Sequence, residues 1–331
     1  MRSKLKFSIG YQLPDIHRFL DIVAEYAKDI GEVYFPWLDV NDGRGLTIRT
    51  QEEKSQMLQE LTEIHRMGIK LNMLWNANCY GSTAISKELK IKLLDAVNFL
   101  QDCIGVDTVT TTSLFVAETL KEEYPTLDLR ASVNMGIGTI SGMKYLKDYF
   151  DSFYLQRELN RFPEKIKSLK QWCSENGKKL YMLVNSGCLR FCSAHTFHDN
   201  LVSHENEIAQ HENAWTGFRG VCWDFYSKPE NAYSFLQDST WIRPEDIDSY
   251  AGLVDGIKLA TRSNKNPDKV IGSYVCGNFG GNMLSLCEPD FSGLCFIDNS
   301  QFPSSWRSRL SGLPDNEYEN YCKEIFAHVK R

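Results

Sequence analysis

The sequence predicts a single α/β domain, a TIM-like (β/α)8 barrel, because short apolar runs alternate with amphipathic segments of helical period along most of the chain. About eight such runs are present, enough for a parallel sheet to close on itself. No G-x-G-x-x-G follows the first run, which weakens the alternative of an open, dinucleotide-binding sheet.

Lys6–Gln12 reads as the first strand. Ile16, Phe19, Leu20, Val23, Ala27 and Ile30 follow at helical spacing, with Pro14 at the start and Gly31 at the stop. Glu32–Trp37 is the second strand. A helix over Gln51–Met67 buries Met57, Leu61 and Ile64 and ends at Gly68. Lys70–Asn76 is the third strand and Lys87–Ile104 another helix. Thr108–Ser113 and Leu129–Asn134 are strands separated by a helix ending near Pro125. Phe153–Glu158, Leu180–Asn185 and Gly256–Ala260 complete the set.

The rhythm breaks from about residue 186 to 240, where the chain turns polar, weakly periodic and rich in His, Cys and aromatics. Long irregular stretches inside a domain are functional or disordered, and six aromatics between Trp215 and Tyr233 speak against disorder. The organisation expected is a barrel over 1–263 carrying this insertion, and a C-terminal extension over 264–331 packed on it.

The 331 residues are 42% hydrophobic and 24% charged, the balance of a globular protein with a sizeable core. Lys plus Arg number 37 against 43 Asp plus Glu, a formal charge of −6, which argues against a nucleic-acid partner. The N-terminal stretch has early positive charges but no apolar h-region, and no stretch reaches the length of a membrane span. A cytoplasmic location is therefore expected. In a reducing compartment the ten cysteines read as core residues or metal ligands rather than disulfides.

Chemistry concentrates just past the seventh strand. Cys188 and Cys192 stand with three residues between them, followed by His195 and His198, and four of the seven histidines fall between His195 and His211. Two thiolates at one strand end can face one soft metal centre, iron–sulfur or zinc. Gly187 offers a backbone conformation that other residues resist. The competing reading is two buried cysteines near surface histidines. The run resembles part of a radical-SAM C-x3-C-x2-C motif, but His195 holds the third place and the run follows a late strand, so that chemistry is not expected.

Several segments in order resemble the collagenase-like peptidase family, which includes the UbiU/UbiV-type iron–sulfur barrel proteins of ubiquinone hydroxylation. They are Gln156-Arg157-Glu158-Leu159-Asn160-Arg161, Leu183–Cys188 with Cys192, Trp241–Asp246 followed by Ile257–Arg262, and Gly281-Asn282-Met283-Leu284 after Tyr274. The resemblance implies a barrel with a four-iron–four-sulfur cluster on four cysteines. Cys188 and Cys192 map to two ligands, and Cys222 in Gly-Val-Cys-Trp-Asp to a third. The fourth is Cys79, just past the third strand, with Cys276 or a histidine as competitor.

Arg157 and Glu158, adjacent on a strand, are expected to point to opposite faces. Lys258 and Arg262 on the last strand, with Arg157 and Arg243, are the candidates to clamp an anionic substrate. For Arg157 and Glu158 a structural ion pair is an equal reading, and for the Arg243–Asp246 run the equal reading is a helix start, with Pro244 at its first position and Glu245 and Asp246 favouring the helix dipole. His195, His198 and Glu158 are the candidate catalytic groups, the histidines as proton donors or cluster-pocket residues. Tyr11, Trp37 and Trp75 can wall a pocket but read more simply as core.

The resemblance suggests an iron–sulfur enzyme performing oxygen-independent hydroxylation, or a related redox modification, of a small molecule or peptide. Three alternatives remain: a peptidase, an accessory subunit with a structural cluster that pairs with a homologous partner or a second copy, and a zinc hydrolase. No H-E-x-x-H, no G-x-S-x-G and no Cys–His dyad outside the cluster run supports the peptidase.

Overall fold

The apolar runs become eight short parallel strands: β1 (Lys6–Gly10), β2 (Ile30–Phe35), β3 (Lys70–Trp75), β4 (Thr108–Thr111), β5 (Asp128–Ala131), β6 (Ser152–Tyr154), β7 (Lys179–Leu183) and β8 (Gly256–Lys258). Each pairs with its successor, and β8 returns to β1 through Lys6 with Gly256, Phe7 with Ile257 and Ser8 with Lys258, closing the barrel. This computed structural model describes residues 5–12, 19–37, 40, 50–208, 211 and 219–331. The predicted helix start at Pro14 and Ile16 lies outside them, as does Trp215.

The helices are α1 (Phe19–Glu25), α2 (Gln51–Arg66), α3 (Lys87–Cys103), α4 (Leu114–Glu123), α5 (Ile140–Leu146) and α6 (Pro163–Glu175) between the strands. The rest are α7 (His195–Ser203), α8 (Glu205–Ile208), α9 (Val221–Tyr226), α10 (Ser234–Gln237), α11 (Pro267–Cys276), α12 (Trp306–Gly312) and α13 (Asp315–Val329). Their starts are written locally. Thr50 and Glu53 exchange side-chain bonds with each other's backbone N–H at α2, satisfying donors that a helix end leaves open. Ser86, Ser113 and Thr139 accept from the third residue of α3, α4 and α5. The face of α2 that turns inward carries Met57, Leu61 and Ile64, as the spacing predicts. Each such side chain contributes about 1.5–3 kcal/mol on burial.

One layer of the barrel interior is polar and paired. Arg130 donates from Nη1 to both Glu32 oxygens at 2.8 Å, from Nη2 to Asp128 at 3.2 Å and from Nε to Ser152 at 3.0 Å. Ser8 and Asn72 donate to the same Glu32 carboxylate at 2.7 and 2.8 Å. Burial pushes the Glu32 carboxyl up, but Arg130, Asn72 and Ser8 outweigh it and hold it below the ordinary carboxylate value. Removing either partner would strand a buried charge.

Two predicted boundaries shift for a physical reason. β6 ends at Tyr154, and Arg157–Leu159 form a 3-10 turn, so the period-two alternation expected for Arg157 and Glu158 does not apply. The segment after β7 is not structureless, since α7 to α10 form within it. Aromatic packing seats α9: Tyr226 stacks on Phe235 with centroids 4.0 Å apart, and Trp223 lies 4.5 Å from Phe291. Past β8, α11 packs beside the end of α1, where Tyr26 meets Asp268 at 3.3 Å.

Candidate metal centre at the barrel mouth

The chain leaving β7 is fixed before it reaches its cysteines. Asn185 donates to Ala260 O and Leu286 O at 2.9 Å and accepts from Ala260 N at 2.7 Å. Ser186 then bridges in parallel to Glu288, with Gly187 N donating to Glu288 O at 3.0 Å. Gly187 is needed for close approach rather than for an unusual dihedral: a Cβ there would meet Phe291 and the Pro289 carbonyl at 3.0 Å. Between the two cysteines, Phe191 takes a φ of 54°, a left-handed conformation rare for a bulky residue. Backbone strain of this kind clusters at functional sites, and here it tightens the turn between Cys188 and Cys192.

These elements enclose a cavity of about 270 Å³ at the C-terminal ends of the strands, the rim where barrels place function. Cys188 and Cys192 line it from the β7 loop, Cys222 from α9, and His195, His198 and Asp199 from α7. The Cys222 sulfur and the His198 ring converge beside Gly220, each 3.4 Å from where a Cβ would stand. Burial pushes the Cys222 thiol up to about 11, and Cys188 and Cys192 add to the rise, so the three sulfurs sense one another. Among the described residues no group of three or more His, Cys, Asp or Glu side chains stands close enough to hold a metal ion.

Three cations face the same space. Arg157 reaches it from the turn after β6, Lys258 from β8, and Arg262 from just beyond. Lys258 sits 4.1 Å from the Tyr34 ring centroid and 4.9 Å from that of Tyr154. Gly10 makes room here: a Cβ would fall 2.4 Å from the Arg262 side chain and 2.9 Å from Tyr34. His195 Nε2 is approached by Arg157 and lies 3.0 Å from Asp199. The neutral ring can accept from Arg157 at that nitrogen, and the charged ring can donate from it to Asp199.

No family model matches the chain. An uncharacterized protease of Methanocaldococcus jannaschii, MJ1657, is 24% identical over 328 residues, covering 94% of this chain and 92% of that protein. The solved structure of the U32 peptidase Mk0906 superposes with a TM-score of 0.56 at 17% identity, covering 80% of this chain and 95% of that one. The chain is thus similar in sequence to a protein named as a protease and in fold to a U32 peptidase. The structural match by itself establishes the barrel fold.

Within this barrel, three sequence expectations are corrected. Glu158 is absent from the cavity wall, because the turn at Arg157–Leu159 directs only Arg157 there. Arg243 is a structural cation: its Nε donates to Asn299 at 2.8 Å, its Nη2 lies 3.1 Å from Glu245, and its guanidinium lies 4.7 Å from the Phe302 ring. Neither fourth-ligand candidate among the cysteines lines the cavity. Cys276 ends α11 and is exposed. Helices of a barrel run antiparallel to its strands, so that end lies opposite the mouth. Cys79 does leave the rim after β3, but it does not line the cavity with the other three cysteines, and its sulfur accepts from Gly81 N at 3.4 Å.

Tyr11, Trp37 and Trp75 are buried core. No helix among the described residues is long and apolar enough to cross a membrane. Tyr34, Asp199 and Glu288 line the cavity and escaped the sequence reading. Only Asp199 had a usable signal, standing four residues after His195 on a helix.

Proposed function

We propose that this chain is an iron–sulfur enzyme of the U32 family carrying out oxygen-independent hydroxylation, or a related redox modification, of an anionic small molecule or peptide. The observation that carries the reading is that Cys188, Cys192 and Cys222, from two separate elements, line one cavity at the barrel mouth. Grouped thiolates repel one another, and a cationic metal centre is what makes their common ionisation favourable. A zinc ion takes four donors at about 2.0–2.3 Å, whereas three cysteines in one cavity suit the thiolate ligands of an iron–sulfur cluster. A polynuclear cluster spans a wider set of sulfurs. With Cys79 and Cys276 elsewhere, His198, beside Cys222, is the remaining donor for the fourth position.

When bound, such a cluster supplies electron transfer or activation of an oxygen donor. The chain's own residues supply binding and proton handling. Arg157, Lys258 and Arg262 offer donors to a carboxylate or phosphate in a water-poor setting, where charge-assisted bonds are strong. His195 carries a proton, with Arg157 suited to its neutral form and Asp199 to its charged form. The peptidase activity named for MJ1657 and Mk0906 is not what this cavity favours, since its thiols are grouped with one another.

Anaerobic purification with iron and sulfide analysis tests the reading. We expect a coloured protein with iron and acid-labile sulfide in equal amounts. A colourless protein with stoichiometric zinc would overturn it.

A further inference from the structure

We propose that Lys258 captures a small aldehyde or ketone carrying a carboxylate or phosphate, as an iminium on its side-chain nitrogen. The proposal goes beyond the cluster reading and shares with it only the cation-lined wall of the mouth cavity.

Register puts the amine there. Lys258 is the last residue of β8, held between Ser8 of β1 and Leu183 of β7. It thus stands at the C-terminal end of its strand, where a barrel carries function. Its side chain lines the cavity and is only 7% exposed. Lysine is among the residues least often buried. Amines that are desolvated, or set beside other cations, give up a proton readily enough to attack carbonyls. Lys258 meets both conditions, because Arg157 and Arg262 are buried in the wall of the same cavity. The Arg262 side chain and the Tyr34 ring crowd the space beside Gly10, and the Lys258 nitrogen lies 4.1 Å from the centroid of that ring.

Two aromatic rings then decide which state the nitrogen prefers. Besides Tyr34, the Tyr154 centroid lies 4.9 Å away. Both rings are held in place: Tyr34 Oη donates to Leu259 O at 2.8 Å, and Tyr154 Oη accepts from Arg130 at 3.4 Å. Ring faces favour a cation, whereas burial and neighbouring guanidiniums disfavour a bare ammonium. The iminium is itself a cation, so the rings go on stabilising it after capture. The anionic group of the captured compound meanwhile meets the guanidiniums. The rings therefore favour the adduct, and the arginines select the carbonyl compounds that form it. A cavity of about 270 Å³ suits a compound of few carbon atoms.

The step balances without a further reagent. The nitrogen pair of Lys258 forms a bond to the carbonyl carbon while the carbonyl π pair moves onto oxygen. A proton passes from nitrogen to that oxygen, giving a carbinolamine. The hydroxyl then takes a second proton and leaves as water, and the nitrogen pair closes the C=N bond. His195, in the same cavity wall, is placed to deliver that proton. Nothing is oxidised or reduced.

Borohydride trapping tests this on the whole protein. Iron is measured on the same samples, so a missing cluster and a missing adduct are separate results. Incubation with pyruvate or with dihydroxyacetone phosphate, then reduction with sodium borohydride, should leave a secondary-amine adduct that peptide mass spectrometry places on Lys258. Pyruvate labelling assigns a carboxylate ligand and dihydroxyacetone phosphate labelling a phosphate. Dihydroxyacetone, which lacks the charge, should label Lys258 about tenfold less, the loss of one charge-assisted bond. Arg262→Gln, its fold checked by circular dichroism, should slow trapping of the anionic probe by a similar factor. No adduct with either anionic probe would overturn the proposal. So would labelling spread evenly over the exposed Lys147 and Lys228, equal labelling by dihydroxyacetone, or an unchanged rate in Arg262→Gln.

Discussion

Two groups of cysteine occupy the same rim of the barrel, on either side of α7, and their surroundings drive them in opposite directions. On one side Cys222 is pushed up to about 11 by burial, with Cys188 and Cys192 adding to the rise. On the other, the bond from His204 holds Cys79 below the ordinary thiol value. The residue type is the same, and the neighbour decides the chemistry. Burial beside other thiols disfavours the thiolate, whereas a neighbouring imidazole favours it. α7 forms the wall between them, presenting His195, His198 and Asp199 to the cavity and ending at His204 beside Cys79.

The largest expected effect separates the two groups outright. Cys188→Ala, Cys192→Ala and Cys222→Ala should each abolish iron loading, because alanine cannot replace a thiolate ligand. Cys79→Ala should leave iron content at the wild-type level. Iron analysis after anaerobic purification decides it, and full loading in any of the three would remove that residue from the centre.

The second effect is a pH profile. Because the Cys79 pKa is lowered, its thiolate persists as pH falls and disappears only on passing through that depressed value. The rate of Cys79 alkylation should therefore hold up well below about pH 8.5, the ordinary thiol range. In His204→Ala the rate should fall away within that range. Coincident profiles would erase the contrast between the two cysteine environments.

A smaller effect concerns the cations on the cluster side. Lys258→Met should weaken binding of inorganic phosphate roughly tenfold by calorimetry, the loss expected for one charge-assisted bond. An unchanged affinity would leave Lys258 with its Tyr34 and Tyr154 rings as a packing group. The smallest effect tests the shared wall. Asp199 meets His195 on one side and Asn78 on the other, so Asp199→Ala should lower stability by about 1 kcal/mol in chemical denaturation.

The barrel was legible because strands buried on both faces read as unbroken apolar runs, and the helices between them carry their own caps at Thr50, Ser86 and Ser113. Cys188 and Cys192 were legible because they adjoin one strand end. The misreadings share a cause: they depend on where a distant segment arrives. Arg243 looks like a substrate clamp until Asn299, from the C-terminal segment, takes its guanidinium. Arg157 and Glu158 look like a strand pair until β6 stops at Tyr154. The bonds of Asn78 to Ser203 and Asp199 join the loop after β3 to α7, and no local spacing encodes them.

The most direct test is an electron paramagnetic resonance spectrum of freshly reduced, anaerobically purified protein, recorded for the wild type, Cys188→Ala and Cys79→Ala. The account predicts a cluster signal in the wild type, an undiminished one in Cys79→Ala and none in Cys188→Ala. A wild type without signal, or a signal that survives Cys188→Ala and is lost with Cys79→Ala, would contradict it.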